Sequence, residues 1–411
     1  MIKAGLATAG LALPFAKTES APLTEVNGST DWKKIRKAFP ISKKLCYLNN
    51  GTMGPSPMSV IKAIESKTME VNTNLKYHAN DEEAKTSLAK LLGTQAEEIA
   101  LTHNVTEGIN IATWAFDLRK GDEVILTDQE HVGNALPWLN RQRLEGIVIR
   151  SFHPEDTAEK VLAQVKKLIN PKTKVIAIPH IPCTTGQVYP IKEICEIARN
   201  AGVMTLIDGA HGAGMLNLNL KDLGCDIYSS CCHKWLLGPK GTGFMYVRKD
   251  LIENSSALFV GGHSDTGWTL NTEEQSIKGF QLNAHRYHYG TQNYANFYGI
   301  NEAVNFNQSI GTERIANRIV ELNNYLFKQL KTLGKDVQIL TPEESRSRAG
   351  IATIKLLTID NSKFISKMRN DNIILRYLPE SGHNAIRIST HIYNDFSEID
   401  RLIFEINKAI A

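Results

Sequence analysis

The feature that most constrains this chain is a rhythm between residues 123 and 229. Short apolar runs at 123–127 (EVILT), 147–150 (IVIR), 174–178 (KVIAI), 203–207 (VMTLI) and 226–229 (DIYS) alternate with amphipathic stretches at 131–145, 155–168 and 190–201. The runs have the length of strands, and the stretches between them have the length and periodicity of helices. Parallel strands need crossover helices, and those helices bury both faces of the sheet. The rhythm therefore predicts an α/β fold with a mostly parallel sheet between helices. In such folds sites form beyond the carboxyl ends of the strands, so residues that immediately follow a strand carry the functional signal.

The flanks extend the pattern. Pro55 and Pro57 open a helix, another lies near 81–93, and T-E-G-I-N-I-A-T-W-A-F (106–116) reads as a third. Beyond about residue 300 the character changes. A helical stretch over 294–333 leads to strands near 350–357, 372–378 and 385–389 and a final helix at 396–410, which is a smaller α+β domain. The expected organisation is a tail over 1–30, an N-terminal arm over 31–54 joining the small domain, a large domain over 55–300 and the small domain over 301–411. Residues 2–16 (IKAGLATAGLALPFA) form an apolar run behind Lys3, short for a membrane span and without a twin arginine. Export and a cytoplasmic tail both stay open.

Charge and cysteines narrow the function classes. The 47 basic and 43 acidic side chains leave a formal charge of +4 with no long like-charge run, so there is no electrostatic footprint for nucleic acid and the expected partner is a small molecule. The six cysteines show no C-x-x-C spacing, which suggests neither a disulfide framework nor a zinc knuckle. Cys231, Cys232 and His233 are adjacent, but neighbours on a strand point to opposite faces and cannot easily share one ion. No metal is expected. A G-x-G-x-x-G turn after the first strand is also missing, which argues against a Rossmann oxidoreductase.

The most informative stretch is 205–248. Asp208 closes one apolar strand, and Lys234 follows the next inside a turn-rich segment. A pyridoxal 5′-phosphate (PLP) enzyme needs a lysine to hold the aldehyde as a Schiff base and a carboxylate against the pyridine nitrogen. The bland alternative is that Asp208 caps the next helix and Lys234 is a surface residue.

Eight motifs decide between these readings: Y-L-N-N-G-T-M-G-P (47–55), N-V-T-E-G-I-N (104–110), E-H-V-G-N-A-L-P-W (130–138), H-I-P-C-T-T-G-Q-V-Y-P-I (180–191), D-G-A-H (208–211), H-K-W-L-L-G-P-K-G-T-G (233–243), Y-G-T-Q-N (289–293) and R-I-S-T-H-I-Y-N (387–394). In this order they resemble the class V aminotransferases of PLP fold type I, above all the isopenicillin N epimerase-like branch and more distantly the cysteine desulfurases. The resemblance implies that Lys234 holds the cofactor and later moves the α-proton, that Asp208 pairs with the ring nitrogen, and that His131 stacks on the ring. It implies phosphate binding by the backbone of Val105 and Thr106 and by the Thr106 hydroxyl, with His211 and His233 flanking ring and phosphate. Thr291 would reach the phosphate of a neighbouring subunit in a homodimer. Arg387 would clamp the α-carboxylate of an amino-acid-like substrate, approached also by Asn50 and Gly51.

Each assignment has a plainer counterpart: a helix-start histidine for His131, a cap for Thr106, core histidines for His211 and His233, and an ordinary turn for Thr291. Two departures from the desulfurases matter. The loop R-Y-L-P-E-S-G-H-N-A (376–385) lacks their catalytic cysteine, and Cys183 stands where they carry an asparagine near the ring hydroxyl, leaving Cys183 or Thr184 as the donor. The resulting expectation is an aminotransferase or epimerase acting at the α-amino carbon. A β-eliminating C–S lyase and a catalytically silent PLP-fold protein are the alternatives.

Overall fold

The computed structural model describes residues 30–75 and 81–411; the apolar run at 2–16 lies outside them. The strands, in chain order, are β1 (Cys46–Tyr47), β2 (Ile99–Thr102), β3 (Glu123–Thr127), β4 (Val148–Phe152), β5 (Thr173–Pro179), β6 (Met204–Asp208), β7 (Ile227–Cys231), β8 (Gly243–Val247), β9 (Trp268–Leu270), β10 (Gln275–Ile277), β11 (Val337–Ile339), β12 (Ile351–Leu356), β13 (Ile373–Ile374), β14 (Arg376–Leu378) and β15 (Ala385–Ser389). Seven of them form one sheet in the order β2-β8-β7-β6-β5-β3-β4. Only β8 runs against its neighbours in that sheet.

The five expected strands β3 to β7 are all present, and β2 and β8 join them. Alternation along β5 explains the sandwich: Val175 and Ala177 enter the core on one face of the sheet, Ile176 and Ile178 the core on the other. The same alternation separates Cys231 from Cys232, which lie in different cores. At the edge, β4 exposes Val148, Arg150 and Ser151 and buries only Phe152, the burial pattern of a strand with one free side.

The second sheet, β11-β12-β15-β14, is antiparallel. Residues 46–49 reach it from the other end of the chain, since β1 pairs with β13 and Asn49 bridges to Ser389. The helical stretch expected over 294–333 is two helices, Tyr294–Ile310 and Thr312–Lys331, broken at Gly311 with φ 100°. That backbone conformation is open to glycine at little cost and excludes a continuous helix. Between the sheets lies a segment the sequence pattern left unread, where Leu258, Phe259, Trp268, Leu270, Ile277 and Leu282 are exposed. No helix among the described residues is long and apolar enough to cross a membrane.

Candidate functional site

The carboxyl ends of β2, β3, β6 and β7 converge on a cavity of about 260 Å³, lined by Gly51, Thr52, Asn104, Val105, Thr106, His131, Gly133, Asp208, Ala210, Cys231, His233, Lys234 and Arg376. Asp208 is the last residue of β6 and is buried. Its Oδ1 accepts the Ala210 N–H at 2.9 Å. Burial pushes its pKa up, against the pull of that hydrogen bond and of the Lys234 and His131 charges. Lys234 follows the end of β7, with Nζ 3.4 Å from His211 Nε2. The Trp235 indole N–H donates to His211 Nδ1 at 3.0 Å, so a neutral His211 carries its proton on Nε2, facing Lys234. Burial and the nearby Lys234 charge hold His211 well below its ordinary pKa, which keeps it neutral.

Two helix N-termini close one side. Asn104 caps the helix Val105–Ala115 by accepting the Glu107 N–H at 2.9 Å, while Val105 and Thr106 at its opening line the cavity. His131 caps the helix Val132–Glu145, its Nδ1 accepting the Gly133 N–H at 3.0 Å. The helix starts touch: a Cβ on Gly133 would lie 2.5 Å from Thr106 Oγ1. The first helix is also pressed onto β7, since a Cβ on Gly108 would lie 2.3 Å from Ser229 Oγ. Two helix N-termini at one cavity suit an anion such as phosphate.

Other groups complete the donor set. His233 lines the cavity with a buried Nδ1 that has no partner, and burial lowers its pKa to about 4. Beside His131, burial pushes Glu130 up to about 8, although Asn134 Nδ2 and the Thr127 N–H both donate to it. An anion cradle, a buried carboxylate, an amine and an unpartnered imidazole nitrogen together fit a phosphorylated pyridine aldehyde. Cys231 also lines the cavity, but burial raises its thiol to about 11, so at neutral pH it is no thiolate.

The second sheet supplies two guanidinium groups. Arg387 on β15 is fully buried, donating to Thr52 Oγ1 at 2.7 Å, Asn49 Oδ1 at 3.4 Å and the Cys183 carbonyl at 3.5 Å. Burial lowers its pKa to about 10, which leaves it charged. It sits behind the cavity wall, with its guanidinium carbon 3.3 Å from where a Cβ on Gly51 would be. Arg376 on β14, directly opposite Arg387 in register, lines the cavity itself. Asn50 is buried and braces the backbone, its Nδ2 donating to the Lys234 carbonyl at 3.4 Å and its Oδ1 accepting from Tyr393. Cys183 is buried, and the buried Thr184 hydroxyl has no partner.

Of the residues singled out from sequence, Gly51, Val105, Thr106, His131, Asp208, His233 and Lys234 line the cavity, while His211, Asn50 and Arg387 stand directly behind it. Thr291 is exposed and outside the cavity of its own chain. Thr52, Asn104, Gly133, Cys231 and Arg376 were not singled out. Arg376, like Arg387, lies in a short strand, and it is the register across β14 and β15 that brings it to the cavity. Among the described residues, one group of three potential metal ligands exists, Asp81, His285 and His288. The Lys85 ammonium fills it, 2.7 Å from Asp81 Oδ2 and 3.2 Å from His285 Nδ1.

Comparison with known proteins gives a consistent set of matches. The family model described as aminotransferase class-V matches residues 46–402. A probable cysteine desulfurase of Xylella fastidiosa (strain 9a5c) is 29% identical over 95% of this chain and 97% of its own. The isopenicillin N epimerase of Streptomyces clavuligerus is 27% identical over 90% of this chain and 96% of its own. Among solved structures, the cystine C-S lyase C-DES in complex with its product cysteine persulfide matches with a TM-score of 0.82 at 26% identity, covering 90% of this chain and 99% of that one. Another C-DES structure holds glycine covalently linked to its PLP cofactor.

Proposed function

Because the chain belongs to the class V aminotransferase family, with PLP as its cofactor, we propose that it acts at the α-amino carbon of an amino-acid substrate as an aminotransferase or an epimerase. The observation that carries this reading is that Asp208 and Lys234 line one cavity with two helix N-termini. When bound, PLP supplies a sink for the electron pair left at the substrate α-carbon. Val105 and Thr106 at the helix start would hold its phosphate, and His131 would pack against its ring. The Asp208 carboxylate holds a proton at the pyridine nitrogen. Lys234 Nζ would be the amine that holds the aldehyde group, and as a free amine beside the cavity it would be the base for the substrate α-proton. Arg387 answers the α-carboxylate.

Proton delivery decides the outcome. Delivery of the proton by a residue of the site away from the α-carbon would favour transamination, and delivery to the opposite face of the α-carbon would favour epimerisation. Persulfide chemistry of the desulfurase kind lacks a nucleophile, because residues 376–385 contain no cysteine and Cys231 is held as a thiol. A second reading, β-elimination of a sulfur substituent, is favoured by the likeness to C-DES. A silent PLP-binding protein would have no use for Arg387 beside the set of Asp208, Lys234 and His131. Thr291 reaches the neighbouring site in a homodimer, and the exposed apolar side chains at 258–282 in the same segment are surface a second copy would cover.

The experiment is to load the protein with PLP and follow L- and D-amino acids with and without a keto-acid acceptor. Keto-acid-dependent amino transfer, or exchange of the α-hydrogen with inversion, supports the proposal. A protein that stays colourless with PLP, or that releases pyruvate and sulfide only, refutes it.

A further inference from the structure

The two arginines of the second sheet pose a problem that the proposed function leaves open. Arg376 and Arg387 are direct partners across β14 and β15, so both side chains leave the same face of the sheet. Like charges in that relation repel, so each guanidinium has to be answered by acceptors of its own. Different parts of the chain hold them. Arg387 is tied to Thr52 and Asn49 of the N-terminal segment, whereas Arg376 pairs with Glu380, four residues on.

The roles proposed above use up the other charges. The helix N-termini answer the phosphate, Asp208 answers the pyridine nitrogen, and Arg387 answers the α-carboxylate. Arg376 remains, a guanidinium on the cavity wall whose anionic partner belongs to the protein. Glu380 is poorly settled in that pairing. It is half-buried, and its Oε2 is buried without a hydrogen-bond partner. It begins a short turn, Glu380–Gly382, that follows Pro379 and is fastened at its far end by His383 Nε2, 2.9 Å from Gln129 Oε1.

We propose that Glu380 stands in for a second carboxylate of the substrate, so that Arg376 selects dicarboxylic α-amino acids. This rests on the reading that Arg387 takes the α-carboxylate. A distal carboxylate replaces Glu380 on the guanidinium at equal charge, and Glu380 turns out to solvent with its loop. A neutral side chain of the same shape cannot make that exchange, because it would leave Arg376 and Glu380 as they are and gain no paired hydrogen bonds.

The test compares isosteres that differ only in charge. For wild-type holoenzyme, aspartate against asparagine and glutamate against glutamine should differ roughly 10- to 100-fold in kcat/KM, the range of a charged hydrogen-bonded pair. Arg376→Gln should bring the acid-to-amide ratio of kcat/KM close to one; Arg376→Lys, keeping charge without the fork, should retain part of the preference. Glu380→Gln should tighten succinate and glutarate, amine-free probes whose dissociation constants calorimetry reads without any turnover. If Arg376→Gln weakens aspartate and asparagine equally, both arginines share the α-carboxylate and the proposal falls. Dicarboxylates binding no better than acetate or butyrate would overturn it too. Absence of turnover with every amino acid would instead sink the proposed function, and the calorimetry would still decide the role of Arg376.

Discussion

Replacing Asp208 with asparagine should move stability and activity in opposite directions. The carboxylate is 4% exposed, and burial disfavours its ionised form even against the charges of Lys234 and His131. An asparagine keeps an oxygen for the Ala210 N–H and removes the buried charge. A carboxyl whose folded pKa is raised keeps its proton in the native state after the unfolded chain has lost its own, so its contribution to stability falls as pH rises past the ordinary carboxyl range. The apo variant should therefore be more stable than wild type at neutral pH, by about 1–3 kcal/mol, the usual cost of a buried polar group that neither water nor a full set of partners satisfies. The difference should vanish below about pH 4, where the carboxyl is protonated in the folded and the unfolded chain alike. With PLP bound, loss of the charge at the pyridine nitrogen should lower turnover about 100- to 1,000-fold, the usual effect of deleting one preorganised electrostatic group. Urea unfolding of the apo protein at acid and neutral pH, set beside turnover of the loaded enzyme, reads both arms. A variant that loses about 1 kcal/mol and keeps activity within a few-fold would show that Asp208 only caps the turn at Ala210.

Lys234→Ala should leave the PLP-loaded protein without its yellow colour; a borohydride-reducible adduct at wild-type stoichiometry would remove Lys234 from its role. Arg387→Lys should weaken amino acids as substrates and spare simple amines, and an equal loss for both would make Arg387 a structural ion. Gly108→Ala should cost about 1–3 kcal/mol by overpacking against Ser229 and should loosen PLP by shifting the helix that opens at Val105; an unchanged PLP dissociation constant would separate that helix from the cofactor. Burial lowers His180 and His391 to about 4 each, so the unfolded chain takes up their protons first and stability should fall as pH drops from about 6.5 to 4. An unfolding free energy that is flat across that window would refute this.

The parallel sheet was legible because β3, β5, β6 and β7 are buried on both faces and so read as short, mainly apolar runs between helical stretches. The boundary at Gly311 was not, because helical periodicity continues on both sides and a single glycine is tolerated in many helices. β2 and β8 escaped for another reason. β2 has only four residues and runs straight into the Asn104 cap, while β8 follows the glycine-rich 238–243 turn with no crossover helix before it, outside the alternation that marked the others. Arg376 shows the limit of reading side chains one at a time. Nothing in R-Y-L-P-E marks it as facing the cavity, and what gives it meaning is its pairing with Arg387 across a hairpin whose register only the folded chain supplies.

For His131 the plain reading and the proposed one are compatible with a single arrangement. As a helix cap its Nδ1 is committed to the Gly133 N–H, which fixes the plane of the ring. Burial together with the Lys234 and Arg376 charges lowers its pKa against the opposing pull of Asp208, which favours the neutral acceptor form that the cap requires. An imidazolium could not accept that hydrogen bond, so the electrostatics of the cavity and the stability of the helix start demand the same protonation state. The glycine that receives the cap is also the residue whose missing Cβ lets Thr106 approach. Two short sequence motifs, each opening the helix that follows its strand, thus hold each other in place. A ring fixed this way needs no loop to order when PLP arrives, which keeps the entropic cost of binding low.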